Sequence, residues 1–85
     1  MNIDKLEKTV RDQLIAEGHT YDVWIESAYV YVMVPIADKI DIDIFVNSFD
    51  IPDVEIEQEL VTASGDEIEI DWDNDYYQVN FFPVE

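Results

Sequence analysis

From Ile40 to Glu85 the chain contains no lysine and no arginine, yet 14 of its 21 acidic residues lie there. A carboxylate with no cation near it is expensive to bury, which favours aiming the alternating acids at one solvated face. Apolar residues must then be sorted to the opposite side of whatever element forms. Across much of this half the sorting has a period of two. Glu55, Glu57 and Glu59 alternate with Val54, Ile56 and Leu60, and Glu67, Glu69, Asp71 and Asp73 alternate with Ile68, Ile70 and Trp72. That period belongs to strands with one wet and one dry face.

The bases Lys5, Lys8, Arg11 and Lys39 all precede this region, so charge is segregated along the sequence. A formal net charge of −17 on 85 residues disfavours the compact state by self-repulsion. The margin it erodes is thin, because one small domain spanning residues 1–85 removes only roughly 60 to 65% of its unfolded surface from water. Acid added for solubility alone would be spread evenly, and here it is not. The imbalance points to a partner of opposite sign and speaks against direct nucleic-acid binding and against an anionic membrane surface. Without cysteine there is neither a disulfide framework nor a thiolate metal site. Residues 1–18 mix charges with apolar side chains, unlike a signal peptide or a membrane span, and the chain reads as cytoplasmic. Its oligomeric state is left open.

Ile3, Leu6, Val10 and Leu14 form the stripe of one amphipathic helix over about residues 3–17, with Asn2 or Asp4 as cap, Asp4 and Glu7 spaced as a capping box, and Gly18 as terminator. From Tyr21 to Val34 the apolar parity shifts at Glu26 and Ser27, the mark of either two short strands or one bulged strand. Ile40, Ile42, Ile44 and Val46 alternate with Asp41, Asp43 and Phe45, which predicts a half-buried strand with its acids outward. Val54 to Val61 predicts another, since a helical period would bury Glu57 or Gln58. Residues 63–65 then form a hairpin loop, Ile68, Ile70 and Trp72 face inward on the next strand, and Asn74 and Asp75 turn the chain so that Trp72 meets Tyr77, Ile70 meets Val79 and Ile68 meets Phe81. The fold class expected is α+β, with the N-terminal helix packed on an antiparallel sheet of four to six strands.

In that hairpin Glu59 opposes Glu69, Glu57 opposes Asp71 and Glu55 opposes Asp73. Like pairs cost about 0.2 to 1 kcal/mol each, so such a face would be retained for something other than stability. Carboxylates two residues apart on a strand stand roughly 6.6 to 6.8 Å apart, close to the roughly 7 Å between successive phosphates of duplex DNA. Glu55, Glu57, Glu59, Glu67, Glu69, Asp71 and Asp73, with Asp41, Asp43 and Tyr76, are the candidate partner-binding residues. Trp24, Tyr29, Tyr31, Tyr76 and Phe82 fall on the parity opposite the nearest apolar stripe, as exposed anchors or as a covered second face.

Other chemistries find less support. Asp71, Asp73 and Asp75 match three positions of a calcium loop, but Tyr76 replaces its glycine and Phe82 its final glutamate. There is no nucleophile motif, no phosphate loop and no second histidine, and His19, just past the helix, reads as a partner of the helix dipole. No enzyme activity, cofactor or metal is expected. Size, acidic charge and a helix-plus-sheet architecture together resemble the phage-encoded DNA-mimic inhibitors of the anti-CRISPR, anti-restriction and uracil-DNA glycosylase inhibitor type. The resemblance spans the whole chain but includes no motif, so no residue roles transfer. It implies a protein that occupies the basic nucleic-acid channel of a host nuclease or surveillance complex. An immunity protein or antitoxin-like inhibitor of a toxic nuclease would meet the same kind of surface. An acidic structural or virion protein would have no tight basic partner.

Overall fold

The computed structural model describes residues 2–62 and 70–84. Helix α1 (Ile3–Ala16) opens where Asn2 Oδ1 accepts the Lys5 N–H at 2.7 Å, making Asn2 the cap. It closes in a Schellman arrangement: Gly18 takes φ +78°, its N–H reaches the Ile15 carbonyl, and the His19 N–H reaches that of Leu14. His19 serves the helix end through its backbone, while its ring stacks on Tyr21 and meets Phe45 edge-on.

Among the described residues four strands follow, β1 (Val23–Ile25), β2 (Val30–Pro35), β3 (Val54–Val61) and β4 (Tyr76–Pro83), in one antiparallel sheet of order β1-β2-β4-β3. The parity shift at Glu26 and Ser27 is thus a hairpin, closed by the Glu26 N–H on the Tyr29 carbonyl. One face packs on α1. Leu6, Val10 and Leu14 meet Val30, Val32 and Val34 of β2 and Val79 and Phe81 of β4, all essentially buried.

Two expectations are corrected. Residues 40–46 do not form a strand: after Lys39 at φ 54° comes helix α2 (Ile42–Asn47). Asp41 Oδ1 accepts the N–H groups of Asp43 and Ile44, which caps a helical turn, and the helix buries Phe45 with Ile42 and Val46 half-buried beside it. Ile44, inward by alternation, is 69% exposed.

The second correction is the hairpin. β3 pairs directly with β4, with Ile56 opposite Phe81 and Leu60 opposite Tyr77. Glu55, Glu57 and Glu59 therefore oppose Phe82, Asn80 and Gln78, and because Asp71 and Asp73 lie in no strand the pairings of Glu57 with Asp71 and of Glu55 with Asp73 do not form, while that of Glu59 with Glu69 falls outside the described residues. β4 has no charged residue, so this register avoids like-charge pairs worth about 0.2 to 1 kcal/mol each. Trp72 and Ile70 meet neither Tyr77 nor Val79. They are 56% and 38% exposed, and residues 72–74 lie in a turn. The proposed loop 63–65, and Glu67, Ile68 and Glu69, lie outside the described residues. No helix among the described residues is long and apolar enough to cross a membrane.

Candidate protein-binding face

The sheet face turned away from α1 takes its composition from the strand parities. Because Val30, Val32, Val34, Val79 and Phe81 point to the core, Tyr31 and Met33 of β2 and Tyr76, Gln78, Asn80 and Phe82 of β4 point the other way. On β3 the same parity selects Glu55, Glu57 and Glu59, all exposed. The register aligns them in rows: Trp24, Tyr31, Asn80 and Glu57 lie across one line, and Met33, Gln78 and Glu59 across the next.

The face is graded from side to side. Along β1 and β2 runs a chain of rings: Trp24 stacks on Tyr31 with centroids 6.4 Å apart, Tyr31 neighbours Tyr29 at 6.1 Å, and Tyr29 touches Phe82 at 5.2 Å. In the middle the Gln78 side-chain amide donates to Asn80 Oδ1 at 2.9 Å, a neutral bond that ties the two side chains together. Beyond them stands the carboxylate row, three strand spacings from Trp24, or roughly 14 Å at about 4.8 Å per strand. The acids stand on a strand whose other parity is tied down. Ile56 packs on the core, and Gln58 Nε2 donates to Asp43 Oδ1 of α2 at 2.7 Å.

The remaining candidate residues separate from this row. Asp41 caps α2 and Asp43 holds Gln58, so both carboxylates have internal partners. Asp71 holds a turn: its carboxylate accepts from the Asn74 side chain and from the Asp73 N–H, while its own N–H donates to Asp75 Oδ2. The Asn74 bond, followed by the Asp73 N–H, keeps its pKa below the ordinary aspartate value. Asp73 is exposed on the same turn, and Tyr76 is half-buried at the start of β4. Among the described residues no three acids, histidines or cysteines converge to hold a metal, Asp71, Asp73 and Asp75 included.

Sequence parity had already marked Trp24, Tyr29, Tyr31 and Phe82. It missed the amide pair, although Gln78 and Asn80 alternate with Val79 and Phe81 and so carried the same signal. It also missed a cleft of about 470 Å³ between residues 20–22 and the turn before β4, lined as well by Met33, Pro35, Trp24 and Tyr76. Comparison with protein-family models, with curated proteins and with solved structures finds no match to this chain.

Proposed function

We propose that the chain is a non-enzymatic inhibitor that binds a basic nucleic-acid-binding protein in the cytoplasm, a nuclease or surveillance complex, by presenting carboxylates where that protein would hold DNA phosphates. The observation that carries this reading is the row Glu55, Glu57 and Glu59. It is exposed on one strand, faced by uncharged residues, and has no base anywhere in the chain after Lys39. The spacing of roughly 6.6 to 6.8 Å along an extended strand suits cations arranged for a phosphate row. The acidic field would speed encounter, and the rings of Trp24, Tyr29, Tyr31 and Phe82 would add apolar contact and discrimination.

The test is displacement of labelled duplex DNA from such a protein. Displacement should weaken as salt rises. The variant Glu55→Gln/Glu57→Gln/Glu59→Gln should bind about tenfold or more weakly, mainly through slower association. The variant Asp4→Asn/Asp12→Asn/Glu17→Gln, on α1 and at its C-terminal cap, should stay within about twofold. A chain that binds while the DNA remains fully engaged would overturn the reading, and equal losses in the two variants would replace a specific face by bulk charge.

A further inference from the structure

We propose that the cleft between residues 20–22 and the turn before β4 is a socket for an arginine side chain of the partner, an inference that rests on the partner being a basic protein and names the group it would insert. The cleft lies away from the β3 row. It is lined by the half-buried Met33 and Tyr76 and by the exposed Trp24, Asp22 and Asp73.

Each part suits a guanidinium more than any other common side chain. A flat cation lies favourably over an indole or phenol face, with Trp the best platform, and it carries donors enough to reach two separate carboxylates. An ammonium is more strongly hydrated and offers no plane to stack. A neutral apolar side chain would fill the cleft and leave Asp22 and Asp73 with their charge unanswered. An anion would meet two carboxylates and no base. No lysine or arginine lines the cleft; Lys39 lines a neighbouring recess that Asp73 and Trp72 share, and it makes no ion pair with Asp73 among the described residues.

The wall on the Asp73 side is held in place before any ligand arrives. Asp71 clamps the turn through the Asp73 N–H at 3.0 Å and the Asn74 amide at 2.7 Å, and the Asp75 carbonyl accepts the Ile36 N–H at 3.1 Å. On the opposite side the Tyr21 hydroxyl donates to Asp38 Oδ2 at 2.8 Å, which fixes the segment bearing Asp22. A socket with fixed walls loses little conformational entropy on being filled.

The probe is the tripeptide acetyl-Gly-Arg-Gly-amide, titrated into the isotopically labelled full chain at physiological salt and followed by amide and indole NMR shifts. Saturable shifts should concentrate on Trp24, Met33, Tyr76 and Asp73. The citrulline analogue, equal in shape but uncharged, should bind at least fivefold more weakly, and the lysine analogue should also bind more weakly. Asp22→Asn/Asp73→Asn, on exposed positions where folding is not at stake, should weaken the arginine peptide at least threefold, as should Trp24→Leu. The Glu55→Gln/Glu57→Gln/Glu59→Gln variant should leave the Trp24 shifts unchanged. Shifts as large along α1 or β3 as in the cleft, an equal response to citrulline, or no saturation would overturn the socket. If the tripeptide fails while wild-type chain still displaces DNA, the socket is wrong and the acidic face stands. If the tripeptide binds the cleft but no DNA is displaced, the proposed function is what fails.

Discussion

Two single residues report on the fold through their protons, in opposite directions. The Tyr21 hydroxyl donates to Asp38, and its pKa is pushed up from 10.0 to about 12, first by removal from water and then by that hydrogen bond and the nearby negative charge. The folded chain keeps this proton longer than the unfolded one. The contribution is therefore intact below about pH 10 and is lost as pH climbs towards about 12. Tyr21→Phe should remove that alkaline loss from thermal melts, and ultraviolet titration should lose one late-ionising phenol. Asp71 behaves conversely. Its depressed pKa makes its stabilisation present above the ordinary aspartate value of 3.8 and lost as pH falls through its own lower midpoint. A carbon-detected NMR titration should place Asp71 below 3.8. A midpoint above that value would mean that Asp71 crowds another carboxylate, the arrangement expected from alternation alone.

At the scale of elements, what could be read from the sequence depended on how local the deciding interaction was. Helix α1 was legible because its stripe, its Asn2 cap and its Gly18 terminator all lie within eighteen residues and agree. β3 was legible because a helical turn there would bury Glu57 or Gln58. For residues 40–46 two periods compete: Ile40, Ile42 and Ile44 alternate with aspartates as in a strand, while Ile42, Phe45 and Val46 make a helical stripe too short to dominate. The Asp41 carboxylate, capping the turn through two N–H groups, favours the second. Asp41→Ala should cost about 1 kcal/mol in urea unfolding, with helical signal lost, whereas Asp43→Ala should act through Gln58 instead. The β3 partner was least legible. The inward residues Tyr77, Val79 and Phe81 were identified correctly, but nearest-neighbour pairing assigned them to Trp72 and Ile70, when the uncharged β4 offered β3 a partner free of like-charge contact. Of the candidate site, the acids on β3 and the ring parity were visible in advance. The cleft was not, because it joins segments about fifty residues apart.

The whole molecule carries a charge of −17, and its most regular repulsion is along β3. Two carboxylates roughly 6.7 Å apart repel by about 0.6 kcal/mol at the dielectric constant of water. Raising ionic strength from 0.1 to 1 M shortens the screening length from about 10 Å to about 3 Å, from beyond that spacing to well within it. The melting temperature at neutral pH should therefore rise with sodium chloride. It should rise less in the Glu55→Gln/Glu57→Gln/Glu59→Gln variant. A melt indifferent to salt would show that the acids are too widely dispersed to act together.

β4 joins Val30 and Pro35 on one side to Ile56 and Leu60 on the other through its own Phe81, Tyr76 and Tyr77, positions far apart in the chain. Rings, amides and carboxylates become neighbours only when that strand is seated, and its seating also closes the core over α1. The proposed recognition is thereby made conditional on completed folding. A linear peptide of residues 54–61 would carry the same three glutamates yet lack the surface they belong to, and should compete with DNA no better than any other peptide of equal charge. If the chain acts as proposed, proteolysis that frees β4 would abolish binding at a stroke, erasing the proposed surface while leaving every acid on β3 intact.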